Sequence, residues 1–366
     1  MACIRSPQPS FWRLNPCLNL LRGRRLPSQS HIRLARRSVW QTGARKSPRA
    51  KATPTPSPDP ESPEFHAALV QRVNHIKYLT PALYAIVVSG GIYLYSTYLQ
   101  ARHEVDPPKA RSRPPPPTTD LPGPVQVASQ YWRGLDPISQ VSHGIIGTCV
   151  AVHLSRSIAP MWWIQLWHMP INPVYHTLFT STFVHSGLAH LGVNMWAAYN
   201  FLPPVGYSPL FNGSPYHVAA FFLSAGVWTG YAQHLTTKFA PSISTYRSIY
   251  SHSALMRGGG ASGALFAAFG VFCMQYPEAK IGIIFIPIYF AASSALPFFM
   301  AFDAYGMIKG FRGLNLGHAA HLSGALIGIA YSYFDGRNNL WYPLVGMWKA
   351  VMMKRGGEAS RRSRGN

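Results

Sequence analysis

A chain of 366 residues that is 48% hydrophobic but only 12% charged does not have the composition of a water-soluble domain, where about a quarter of residues are charged. Its formal net charge of +22 is unevenly placed: no acidic residue precedes Asp59, while the same stretch holds Arg13, Arg22, Arg24, Arg25, Arg36 and Arg37 among other basic residues. An arginine-rich, serine-containing, acid-free start reads as an organelle transit peptide, and residues 1–66 are assigned to it. A secretory signal is excluded because the apolar stretch Phe11–Leu21 is broken by Arg13, Asn15 and Pro16. Basic runs also bind nucleic-acid phosphates. Arginine dominance followed by an apolar domain favours mitochondrial import, and no nucleic-acid partner is expected. The four cysteines, Cys3, Cys17, Cys149 and Cys273, have no spacing that builds a zinc site or a disulfide framework.

The elements follow in chain order. A first spanning helix is expected over residues 82–99, with Pro81 suited to a helix start and roughly the length needed to cross a bilayer. Residues 100–136, rich in proline, read as an extended linker. A core over 137–336 then contains six apolar segments: Ile138–Ile158, Leu188–Pro203, His217–Leu235, Gly260–Tyr276, Ile281–Met300 and Gly317–Phe334. Between the first two, Met161–Val174 carries Trp162, Trp163 and Trp167, which places it in the membrane interface rather than across it. Residues 337–366 form a basic tail, read as solvated or in contact with lipid headgroups. The expected fold is an all-α polytopic membrane protein, one helix plus six.

Spanning helices alternate in direction, so the second, fourth and sixth of the bundle run the same way. Each carries unusual polar residues near its N-terminal end: His190 and Asn194, then Ser262, then His321. All four therefore lie at one side of the membrane, and ionisable residues inside such helices mark function. Serine needs a base to become a nucleophile, and histidine titrates in the useful range. Ser262 also opens a helix, whose first amides lack internal partners and suit an oxyanion. His190 and Asn194, four residues apart, share a helix face. The bundle offers no third acid: none lies between Asp136 and Glu278, Asp303 is assigned to the loop before the last helix, and Asp335 to its far end. A serine–histidine dyad is expected, without metal or cofactor. Gly324 and Gly328 are read as helix packing, and His318 as interfacial. His168, His176, His217 and His234 are read as loop or interface residues.

These segments resemble the rhomboid intramembrane serine proteases. The matching residues are His185, His190 and Asn194 in His-x4-His-x3-Asn; Gly260, Ser262 and Gly263 in Gly-x-Ser-Gly; and His321, Gly324 and Gly328 in Ala-His-x2-Gly-x3-Gly. The leader and the extra helix before six resemble the mitochondrial, presenilin-associated-like branch, which includes fungal members. The resemblance implies Ser262 as nucleophile, His321 as base, and His190, Asn194 and the Ser262 amide as the oxyanion hole. It places Phe266 on the catalytic histidine and gives His185 a structural role under the interfacial loop. One departure is visible: Tyr175-His176 stands where many members carry Trp-Arg. The implied activity is cleavage of single-pass transmembrane substrates in the lipid bilayer of the mitochondrial inner membrane, among them a dynamin-like fusion GTPase and precursors with bipartite leaders. The rival reading is a catalytically idle, rhomboid-like protein that holds membrane clients. A transporter would call for inverted repeats, and none is visible. Nothing in the pattern specifies an oligomer.

Overall fold

The structure is a computed structural model describing residues 62–107, 123–172, 174–239, 253–283, 286–309, 311 and 317–364. The expected transit peptide, apart from its last residues, lies outside the described residues. The chain divides into two units, Met1–Gln71 and Arg72–Asn366. Ser62, in the first, opens helix α1 (Pro63–Asn74), which ends past the division, its Oγ accepting the Phe65 amide at 3.1 Å.

The second unit is a helical bundle. Helix α2 (Leu79–Val105) is the one helix among the described residues that is long and apolar enough, by length and composition, to cross a membrane unaided. It runs six residues past the expected end at Leu99. Linker residues also fold: Pro124 at a first helical position, with the Gln126 side chain accepting the Gly123 amide at 3.0 Å, starts α3 (Pro124–Gly134). The expectation of an extended linker over 100–136 is corrected to that extent. Helix α4 (Pro137–Ile158) begins at Asp136, whose carboxylate accepts the Ile138 and Ser139 amides at 3.0 Å each.

The tryptophan segment holds only the short helix α5 (Pro160–Gln165), and another short helix, α6 (Thr177–Thr180), follows it. Helices α7 (Leu188–Tyr207), α8 (Pro215–Leu235) and α9 (Ser262–Gln275) come next. At 14 residues α9 is well below the ~20 needed to traverse hydrocarbon.

The fifth expected helix, Ile281–Met300, is corrected. Its first part is an antiparallel hairpin, β1 (Lys280–Ile283) and β2 (Ile286–Ala291), pairing Lys280 with Ala291 and Gly282 with Tyr289. The run is dense in isoleucine, and Pro287 removes a helical donor, so extended backbone wins. The helix, α10, starts only at Ala292 and continues to Lys309. The fold is therefore mostly helical rather than all-α. Helix α11 (His318–Tyr333) follows. The expected basic tail is also structured: a π-helical stretch, Arg337–Trp341, leads into α12 (Tyr342–Arg364).

Two buried clusters organise the bundle. One joins α4, α7, α8 and α9 through Ile145, Ala198, Leu202, Phe222, Leu265 and Val271. The other joins α9, α10, α11 and the hairpin through Phe269, Ala295, Leu296 and Ala325. Outside them α2 packs on α8 and α12. Gln100 of α2 is the polar hub of that seam, its Oε1 accepting Ser214 Oγ at 2.6 Å and Trp341 Nε1 at 2.9 Å. Trp348 Nε1 donates to Leu94 O at 3.0 Å, and Lys349 pairs with Glu104.

Candidate active site

Helix α9 packs most extensively on α11, and glycines set how closely. A side chain at Gly328 would strike Ala267 O and stand 2.8 Å from Val271 N; one at Gly324 would strike Gly263 O. Gly270 faces Ala325 O in the same way, 2.6 Å from where its Cβ would be. Gly263 in turn lets α9 approach Thr229 of α8. Small residues let backbones meet, as the reading of Gly324 and Gly328 as packing expects.

That approach brings Ser262, the first residue of α9, to His321 in the first turn of α11: His321 Nε2 and Ser262 Oγ are 2.8 Å apart. Phe266, one turn below, stacks on the imidazole with centroids 4.4 Å apart and planes 12° apart. His190, in the first turn of α7, lies over Gly260. A Cβ on Gly260 would fall 2.8 Å from His190 Cε1 and 2.9 Å from Nε2, and the glycine's φ of +132° is one that side-chain-bearing residues rarely adopt. The N-terminal turns of α7, α9 and α11 thus converge, with the unpaired first amides of α9 between them.

Asn194 follows His190 on the same helix. It is buried one turn further down α7, and its Nδ2 donates to His190 O at 2.7 Å while Oδ1 has no partner among the described residues. That hydrogen bond braces the helix that carries His190. His185 is fully buried, edge-on to His190 at 5.0 Å, and its Nε2 accepts the Ala261 amide at 3.4 Å. Burial, then the neighbouring His190, pushes the His185 imidazole down to about 3, so it stays neutral and keeps that lone pair free to accept. It therefore holds the turn before Ser262.

The interfacial loop is stitched to the same turn. His168 and Gly258 exchange backbone hydrogen bonds at 3.1 and 2.8 Å, and Gly260 N donates to Ser181 O at 2.9 Å. Tyr175-His176 is not what anchors this loop. A buried chain does so, with Thr177 Oγ1 to His168 Nδ1 at 2.8 Å, His168 Nε2 to His234 Nδ1 at 2.9 Å, and His234 Nε2 to Lys77 O at 2.9 Å. His168 and His234 are thus interior residues, not interfacial ones. His217 is interior too, stacked on Trp341 at 4.3 Å and bonded to Tyr331 at 2.6 Å.

Three site residues were not foreseen. Asp303 lies within α10, not in a loop, at 1% exposure, with Oδ1 2.6 Å from His318 Nδ1 and 3.3 Å from His321 Nδ1. His318 is buried with it rather than lying at the interface. Gln233 of α8 accepts the Ala320 amide at 3.3 Å, capping the turn that carries His321. A lone acid in an apolar segment was the available signal for Asp303.

Three helix ends thus converge around a serine and a histidine, and residues 172–338, which hold them, match the Rhomboid domain family. The chain is similar to mitochondrial members of that family. It is 30% identical over 237 residues to the mitochondrial presenilin-associated rhomboid-like proteins of Homo sapiens and Mus musculus, covering 61% of this chain and 56% of each relative. It is 27% identical over 196 residues to mitochondrial Rhomboid protein 1 of Saccharomyces cerevisiae, covering 52% of both chains. The matched region spans about half the length of these relatives.

Proposed function

We infer that the protein is an intramembrane serine endopeptidase of the mitochondrial inner membrane, cleaving single-pass proteins in or near their transmembrane segments. The observation that carries this is the 2.8 Å approach of His321 Nε2 to Ser262 Oγ at the open end of α9. In this reading His321 takes the hydroxyl proton while Oγ bonds to the scissile carbonyl carbon. The carbonyl π pair moves to oxygen, which sits against the α9 amides and His190. One such donor is worth about 3 kcal/mol in the transition state. The C–N bond then breaks, and His321 returns the proton to the departing amine. Water repeats the cycle on the acyl-enzyme. Substrate helices resist attack because their amides are paired. Small or helix-weakening residues near the cut are therefore required.

The test is cleavage of a transmembrane reporter in liposomes by wild type, Ser262→Ala and His321→Ala. Cleavage by wild type and by neither folded variant supports the dyad. Cleavage by Ser262→Ala removes the nucleophile from the scheme. A wild type that binds reporters and cuts none leaves the client-binding reading in its place.

A further inference from the structure

We propose that Asp303 is a positioning residue for His321, fixing which imidazole nitrogen carries the proton, and that His318 holds the carboxylate in place. The inference rests on the reading of Ser262 and His321 as a catalytic pair.

His321 uses both ring nitrogens. Nε2 faces Ser262 Oγ at 2.8 Å, and Nδ1 faces Asp303 Oδ1 at 3.3 Å. A carboxylate only accepts hydrogen bonds, so Nδ1 must be the donor and carry the proton. Nε2 is then a bare lone pair, the form a general base needs. The face of the ring is fixed separately by Phe266. Ring position is therefore held by stacking, and tautomer by the carboxylate.

Asp303 is suited to this by its enclosure. At 1% exposure it has little access to water, and an ionised carboxylate there requires donors. Its hydrogen-bond partners among the described residues are the two imidazoles, both on Oδ1. The shorter contact, 2.6 Å to His318 Nδ1, anchors it. His318 Nε2 is buried with no hydrogen-bond partner among the described residues. An orphaned lone pair there is more easily tolerated than an orphaned N–H, which assigns the His318 proton to Nδ1 and its hydrogen bond to Asp303. Gly306, one turn along α10 from Asp303, leaves room for the His318 ring: a Cβ there would stand 2.5 Å from His318 Cε1. During attack no proton reaches Asp303. The Ser262 proton moves to Nε2, and the carboxylate faces the resulting imidazolium.

The decisive variant is Asp303→Asn, which keeps volume and one acceptor but adds a donor. Its amide N–H satisfies a bare Nδ1 and so favours the proton on Nε2, where it blocks the base. In soluble serine proteases the equivalent change lowers kcat about 10⁴-fold. Here the expectation is a kcat at least tenfold lower in the liposome reporter assay, with KM and Tm close to wild type. A folded Asp303→Asn with kcat within twofold of wild type overturns the proposal. A second readout needs no turnover: ¹⁵N imidazole shifts of wild type in liposomes, with His321 assigned by comparison with His321→Gln. Protonated Nδ1 and bare Nε2 on His321 support the proposal. A His321 protonated on Nε2 overturns it, whether or not Asp303→Asn folds. If wild type cuts no reporter, the protease reading falls, while the ¹⁵N result still decides what Asp303 does to the ring.

Discussion

At the residue scale, Gly260 shows how backbone freedom and the geometry of the candidate site meet. Its positive φ turns the chain so that α9 opens at Ser262, and its missing side chain is the space His190 occupies. Alanine there is wrong twice, in backbone angle and in a Cβ 2.8 Å from His190 Cε1. Gly260→Ala should cost about 1–3 kcal/mol and lower kcat at least tenfold by displacing His190, read as Tm and reporter cleavage of the same preparation. The meeting of Ser262, His321 and His190 is legible in the sequence because each lies in a short motif whose partners come from helices counted in order, while the place of Phe266 comes from the resemblance alone. Asn194 was legible as a buried polar residue, but not in orientation, since an amide four residues along a helix can as easily serve its own backbone. Asp303 was misplaced for a physical reason one level up. The isoleucine-rich stretch read as the start of a helix is a hairpin, which displaces α10 by about ten residues toward the C-terminus. An acid that belonged to a loop in the expected register belongs to the buried face of a helix in the actual one.

At the element scale, the α9–α11 contact sets the distance between Ser262 and His321. Gly328→Ala poses two opposing effects. Helix propensity favours alanine by about 1 kcal/mol. The new Cβ meets Ala267 O and Val271 N, backbone atoms that cannot rotate away. Overpacking typically costs about 1–3 kcal/mol, so the variant should be less stable, and it should lose more activity than stability because the helices part at the site. Gly346→Ala on α12, where nothing lies within 4 Å, is the control and should be neutral or stabilising. Equal Tm for Gly328→Ala and wild type would deny the contact this role. The existence of this contact was readable from Gly-x3-Gly, since small residues at that spacing share a face. The structure of the linker and tail was not. Proline content outweighed the helix formers of α3, and the basic residues of the tail hid Trp341, Val345 and Trp348, which seat it.

At the scale of the whole molecule, α2 is bound into the bundle by α8 and α12. Gln100 satisfies Ser214, which caps α8, and Trp341, which precedes α12. Gln100→Leu fits the apolar surroundings but leaves a buried indole N–H and a hydroxyl without acceptors. Each unsatisfied group costs about 1–3 kcal/mol, so thermal unfolding in lipid should fall by several degrees, and protease sensitivity of α12 should rise. Unchanged values would mean that apolar packing alone holds the seam. The sequence leaves open whether α2 packs on the bundle, because its partners lie more than a hundred residues away and carry no motif.

Because α2 is fastened by buried side chains on two other helices, its place does not depend on the peptide bonds of residues 108–122. Cut there, the molecule would persist as a two-component complex. Its halves, made from separate messages and inserted into one bilayer, would find each other and rebuild the same particle.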